Sequence, residues 1–132
     1  NKLDKMFHKW PGDLEATYQA LAKSVGDLND IIALNDPDLM GPVSVWPQNG
    51  SVAFGSGLQG WGFTLRHFAA VNHDRLGISE RKMMKKLWGD NFYDQKTRTW
   101  STVRKHKHQK RGFCKFVLEP IYGLYNACKA AE

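Results

Sequence analysis

The chain has 132 residues, 42% of them hydrophobic, which is enough for one compact core and too few for two ordinary domains. Charges interrupt every apolar stretch before it reaches the ~20 residues of a membrane span, and two cysteines are too few for a disulfide framework, so a soluble chain in a reducing, cytoplasmic compartment is expected. The formal charge of +6 favours nucleic acid, acidic protein tails or anionic surfaces as partners without choosing among them.

The chain opens on Asn1-Lys2-Leu3-Asp4, with no secretory signal pattern near it. Further on, Leu14, Tyr18, Leu21, Val25, Leu28 and Ile32 alternate steps of four and three, which places them on one helical face. Asp13 can cap this helix, and Asn35, Asp36 and Pro37 stop it. Residues 43–46 and 52–54 read as strands around Asn49-Gly50, the dipeptide that most readily adopts the positive φ angles of a tight turn, so an antiparallel hairpin is expected there. The run Gly55, Gly57, Gly60 and Gly62 should be a loop leading into a helix, with its backbone close to something else.

Thr64 can cap a helix to about Leu76, and Ser79 a second one to Gly89 whose Met83, Met84, Leu87 and Trp88 face the core. Residues 97–103 and 113–118 read as strands on either side of a basic run. In residues 104–111 everything except Gln109 is Lys, Arg or His, a composition that belongs on a hairpin tip or mobile loop because unpaired charge resists burial. Cations around His106 and His108 oppose a metal site there. Pro120 suits the first turn of a final helix carrying Ile121, Leu124, Tyr125 and Cys128 on its apolar face. Cys114 and Cys128 lack Cys-x-x-Cys spacing and are expected to pack as small apolar residues.

Two segments carry chemistry. The first four residues match the Asn-Lys-x-Asp base-recognition motif of GTPases. The Asp4 carboxylate can accept both the N1 and N2 hydrogens of guanine, a pair that adenine does not offer. Asn1 would tie the base edge to neighbouring loops, and the alkyl stem of Lys2 can cover the base face. In the second segment, backbone amides near Ser56, Gly57 and Leu58 can donate to the guanine O6 atom, which the amino group of adenine would repel.

Residues 52–65, Val-Ala-Phe-Gly-Ser-Gly-Leu-Gln-Gly-Trp-Gly-Phe-Thr-Leu, closely resemble the final guanine loop of the elongation factor 2 family of translational GTPases. Residues 82–90, Lys96-Thr97 through Trp100, and residues 116–121 resemble later parts of the same family in the same order, so the resemblance spans nearly the whole chain. It implies an α/β, P-loop GTPase-type fold in part: residues 1–63 as the guanine-recognition end of the GTP-binding domain, 64–113 as an α+β insertion, and 114–132 as a return strand and helix. It also implies that Asn1, Lys2, Asp4, Ser56, Gly57 and Leu58 bind guanine. The implied cofactors are GTP or GDP with Mg²⁺, held by a larger protein that drives translocation of tRNA and mRNA on the ribosome. Lys5 stands where the family usually has Arg, and Gln59 where it usually has His.

These 132 residues contain no Gly-x-x-x-x-Gly-Lys-[Ser/Thr] loop to cradle phosphates, so the chain alone is expected to bind guanine nucleotide feebly, as a monomer, and to hydrolyse nothing. In the family the insertion faces the ribosome and its acidic stalk proteins, which makes Arg104, Lys105, Lys107, Lys110 and Arg111 candidate contacts for ribosomal RNA or those proteins. Trp100 and Phe113 are candidate stacking partners for RNA bases. The alternatives are a non-enzymatic, basic RNA- or ribosome-binding module derived from a GTP-binding domain, and a GTPase paralog of ribosome maturation or splicing.

Overall fold

The computed structural model describes residues 1–35, 37–41 and 43–132; Asp36, expected at the stop of the long helix, lies outside them. Helix α1 (Leu3–Lys9) is followed by α2 (Leu14–Ala33), where the Asp13 side chain accepts from the Ala16 amide at 3.0 Å. The expected apolar face of α2 is covered only in part: Tyr18 and Val25 are buried, but Leu28 is 46% exposed. A short helix, α3 (Pro37–Met40), leads to an extended segment.

No hairpin forms across Asn49-Gly50. Gly50 takes the expected positive φ of 82°, but it closes a 3-10 turn at Pro47–Asn49. The backbone groups of Val45 are taken by one side chain of α2: its amide donates to Asn29 Oδ1 and its carbonyl accepts from Asn29 Nδ2, both at 2.8 Å. The Trp46 amide donates to Ser51 Oγ. With those groups satisfied, nothing is left for a ladder.

The hairpin lies in the glycine run instead. Strand β1 (Phe54–Ser56) pairs antiparallel with β2 (Trp61–Phe63), Gly55 opposite Gly62. A Cβ on Gly55 would collide with the Trp61 carbonyl oxygen, so the close approach expected of this run is backbone against backbone. Helix α4 (Leu65–Asn72) is shorter than expected, ending four residues before Leu76, and Thr64 makes no side-chain cap. Helix α5 (Glu80–Lys86) is capped by Ser79, which accepts from the Lys82 amide, and Gly89 adopts a φ of 82° just beyond it.

Strands β3 (Phe92–Asp94), β4 (Thr99–Ser101) and β5 (Gln109–Arg111) make a sheet of order β4-β3-β5, antiparallel throughout. Residues 113–118, expected as a strand, are helical: a π turn at Cys114–Leu118 runs into α6 (Glu119–Ala131). The Glu119 amide reaches back five residues to the Cys114 carbonyl. That wider turn absorbs the missing amide hydrogen of Pro120, which would leave a gap in a regular α-helix. The fold is therefore a mixed helix and strand arrangement with two small antiparallel sheets. No helix among the described residues is long and apolar enough to cross a membrane.

Phe113, fully buried, sits at the centre of the core, with ring centroids 5.6 Å from Tyr18, 5.3 Å from Phe54 and 5.0 Å from Trp88. Burying such a ring contributes about 1.5–3 kcal/mol. Met83, Met84, Leu87 and Trp88 are buried, as the stripe requires. Cys114 is buried too, whereas Cys128 lies exposed on α6 and packs no core.

Beside Phe113, Arg111 is only 6% exposed. Its Nε and NH2 bind the Glu15 carboxylate on α2 at 3.0 and 2.8 Å, and its NH1 donates to Asp90 at 2.9 Å and to the Gly89 carbonyl at 2.6 Å. The guanidinium also lies 4.1 Å above the Tyr18 ring. Arg111→Ala should lower stability by about 2–4 kcal/mol in urea unfolding, less than the loss from a fully enclosed pair because Glu15 and Asp90 keep access to water. Arg111→Lys should recover only part of that, since an ammonium cannot reproduce the fork.

Candidate guanine-recognition site

The start of α1 and the turn after β1 meet through one side chain. Asn1 Oδ1 accepts from the Lys2 amide at 2.8 Å and from the Gly57 amide at 2.9 Å, joining positions 56 residues apart. Asn1 thus links the start of α1 to the turn after β1. Gly57 permits it, because a Cβ there would stand 3.3 Å from the same oxygen. Lys2, just ahead of α1, holds a left-handed backbone with φ 67° and ψ 31°, an arrangement that costs a non-glycine residue about 1 kcal/mol or more.

The turn itself is internally braced. Ser56 is 1% exposed; its Oγ accepts from the Gln59 amide at 3.1 Å and its carbonyl from the Gly60 amide at 2.9 Å. Of the amides expected to face a guanine O6, that of Gly57 is therefore engaged by Asn1. Leu58, its side chain 86% exposed, makes no hydrogen bond among the described residues, so its N–H is an available donor.

Asp4 is the unusual member. It is 8% exposed, and no hydrogen-bond donor reaches its carboxylate among the described residues. Its oxygens are not among the side-chain atoms that are both fully buried and without a partner, so they keep contact with water. A ligand with two parallel N–H groups can take the place of that water. Leu3 and Phe7 on the same helix are each 1% exposed, which fixes α1 against the core and with it the position of Asp4.

The structure divides the basic run. Arg111 is buried and ion-paired, as described above, and is not available as a surface contact. Phe113 is fully buried, so it stacks on no external base; Trp100 is half-buried, packed 5.0 Å from Tyr93 and 5.8 Å from Phe116. Lys110 pairs with Glu119 at 3.2 Å. Residues 104–108 form the exposed tip, in which Arg104 donates to the Lys107 carbonyl at 3.0 Å while the Lys105 and Lys107 side chains have no ion pair among the described residues.

Two residues that the sequence reading passed over shape this tip. Gln109 Oε1 accepts from the Lys105 amide at 2.7 Å and the His106 amide at 3.2 Å. Asp94, on β3, accepts from His108 Nε2 at 3.0 Å and from the Lys96 and Thr97 amides at 2.9 and 3.2 Å. The signal for Gln109 was its position as the one uncharged residue in the run; for Asp94 no sequence signal pointed across 14 residues to His108. No protein-family model matches the chain.

Burial would raise the Asp94 pKa, but its hydrogen bonds from His108, Thr97, Lys96 and Gln109 outweigh this and bring it from 3.8 down to about 2. The folded carboxyl is thus the stronger acid, so it supports the fold above pH 3.8 and that support disappears as the pH falls through about 2. Acid titration followed by amide exchange of residues 104–109 should show the tip loosening over this interval. In Asp94→Asn the tip should already be loose at neutral pH, with no further change on acidification.

Proposed function

We propose that this chain is the guanine-recognition part of a translational GTPase of the elongation factor 2 type, a protein that uses GTP hydrolysis to move tRNA and mRNA on the ribosome. The observation that carries the reading is the Asn1 bridge to Gly57 beside the unpartnered Asp4 carboxylate. The resemblance of residues 52–65 to the family's final guanine loop supports it from the sequence side. In this reading Asp4 accepts the N1 and N2 hydrogens of guanine, Leu58 N–H donates to O6, Asn1 holds the two loops together and Lys2 covers the base. Ser56 and Gly57 set the backbone of the second loop.

In this proposal the chain contacts the base and not the rest of the nucleotide. No group of three His, Cys, Asp or Glu that could hold a metal ion is found among the described residues, and no phosphate loop occurs in the sequence. GTP hydrolysis, with Mg²⁺, is accordingly proposed for a longer protein carrying this chain, and no catalytic residue is assigned here.

Guanosine added at millimolar concentration should shift the amide resonances of Asp4, Gly57 and Leu58, and adenosine should not. Asp4→Asn should abolish the difference, because an amide cannot accept both hydrogens. Equal shifts from the two nucleosides would sink the guanine assignment.

Arg104, Lys105 and Lys107 form the part of the basic run left for ribosomal RNA or acidic proteins, and they act chiefly on encounter rate. Reversing these three charges in the longer protein should slow ribosome-stimulated GTP turnover at low salt and change it little at high salt, where the field is screened. An unchanged rate at low salt removes the tip from the proposal and leaves the guanine site untouched.

A further inference from the structure

A cleft of about 630 Å³ opens between α4, the β3–β4 turn and the start of α6. Its floor is aromatic and aliphatic: Phe68, Leu76, Tyr93 and Phe116. Its rim carries Arg75, Arg98 and Lys115 against a single carboxylate, Glu119. That carboxylate is already shared, 3.2 Å from Lys110 and 4.0 Å from Lys115. The rim is left with a surplus of positive charge over an apolar floor.

Two of the three cations are held by neighbouring side chains. Arg75 donates at 2.7 Å to Asn72 Oδ1, and Asn72, 7% exposed, is itself anchored on the Phe68 carbonyl at 2.9 Å. Lys115 donates to Gln95 Oε1 at 3.0 Å. Arg98 sits at φ 55°, where a turn between two strands favours glycine, and its guanidinium has no hydrogen-bond partner among the described residues. Three like charges around one opening attract an anion.

We propose that this cleft binds a small organic anion, its apolar body seated in the aromatic and aliphatic floor with its phosphate or carboxylate held by Arg75, Arg98 and Lys115. The volume is that of a small-molecule site, and the arginine fork matches both head groups. A second cleft, between β2, α4 and α6, has about the same volume but is lined mainly by apolar side chains around Phe63 and Tyr125 and offers no comparable cationic cluster. The proposal does not rest on the guanine reading.

The test is a titration of the chain with naphthyl phosphate, naphthoate, naphthol and inorganic phosphate, followed by amide and side-chain NMR. Saturable binding of naphthyl phosphate or naphthoate is expected, with shifts at Tyr93, Arg98 and Lys115, and the tighter of the two identifies the preferred head group. Naphthol and inorganic phosphate should each bind at least about tenfold more weakly, since each lacks one half of the ligand. Arg98→Gly removes the charge at a backbone position glycine accepts without strain, so the fold persists while anion affinity falls about tenfold. Naphthol binding as tightly as the anions, no binding of either anion, shifts confined to Phe63 and Tyr125, or unchanged affinity in Arg98→Gly overturns the proposal.

Discussion

A guanidinium is hard to take out of water, and a fold that buries one must bring its partners to it. Arg111 does this with Glu15 from α2, the corner at Gly89 and Asp90 after α5, and its own place on β5, three stretches distant in the chain. Burial would lower the pKa of Arg111, but the bonds from Glu15 and Asp90 outweigh it and keep the group charged. Partial burial likewise pushes Glu15 up, and the bonds from Arg111 and Gln19 hold it below its ordinary range. Burial, then the charge of Glu15, pushes the Cys114 thiol up, so it stays protonated and acts as a weak donor to that carboxylate at 3.5 Å. Each of these groups is in the protonation state the others require, which makes the cluster a single structural unit.

The candidate site depends on that unit through the core. Two residues after Arg111, Phe113 packs against Tyr18, Phe54 and Trp88, and Phe54 opens the strand whose last residue is Ser56. On the other side, Phe7 of α1 packs edge-on against Tyr122 at 5.3 Å and tilted against Tyr125 at 5.5 Å, both on α6. The helical run from Phe113 through α6 therefore positions both loops of the site, one through Phe54 and the other through Phe7. The single Asn1–Gly57 contact joins loops that packing has already brought close.

How much of this was readable follows from where each residue's partners lie. Helices α2 and α5 were legible because spacing and a capping side chain are local, and Asp13 and Ser79 cap as expected. The Asn49-Gly50 hairpin was not, because the competing partner of Val45 is Asn29, 16 residues away on a helix. Residues 113–118 have strand-like composition, and only their packing and the π turn before Pro120 make them helical. In the candidate site, the sequence singled out Asn1, Ser56 and Gly57, but that the Gly57 amide is taken by Asn1 while the Leu58 amide stays without a partner among the described residues needed the geometry.

The basic run shows why counted charge and usable charge differ. Arg111 is consumed in the core, Lys110 is shared with Glu119, and His108 is tied to Asp94. What remains, Arg104, Lys105 and Lys107, is held in one shape by Gln109, which accepts from two amides of the tip. A braced tip loses less conformational freedom on docking than a mobile loop, so its few charges count for more in binding. They also bound its electrostatics: three cations neutralise about three phosphates at most, a gentler salt dependence than the composition of the run suggests.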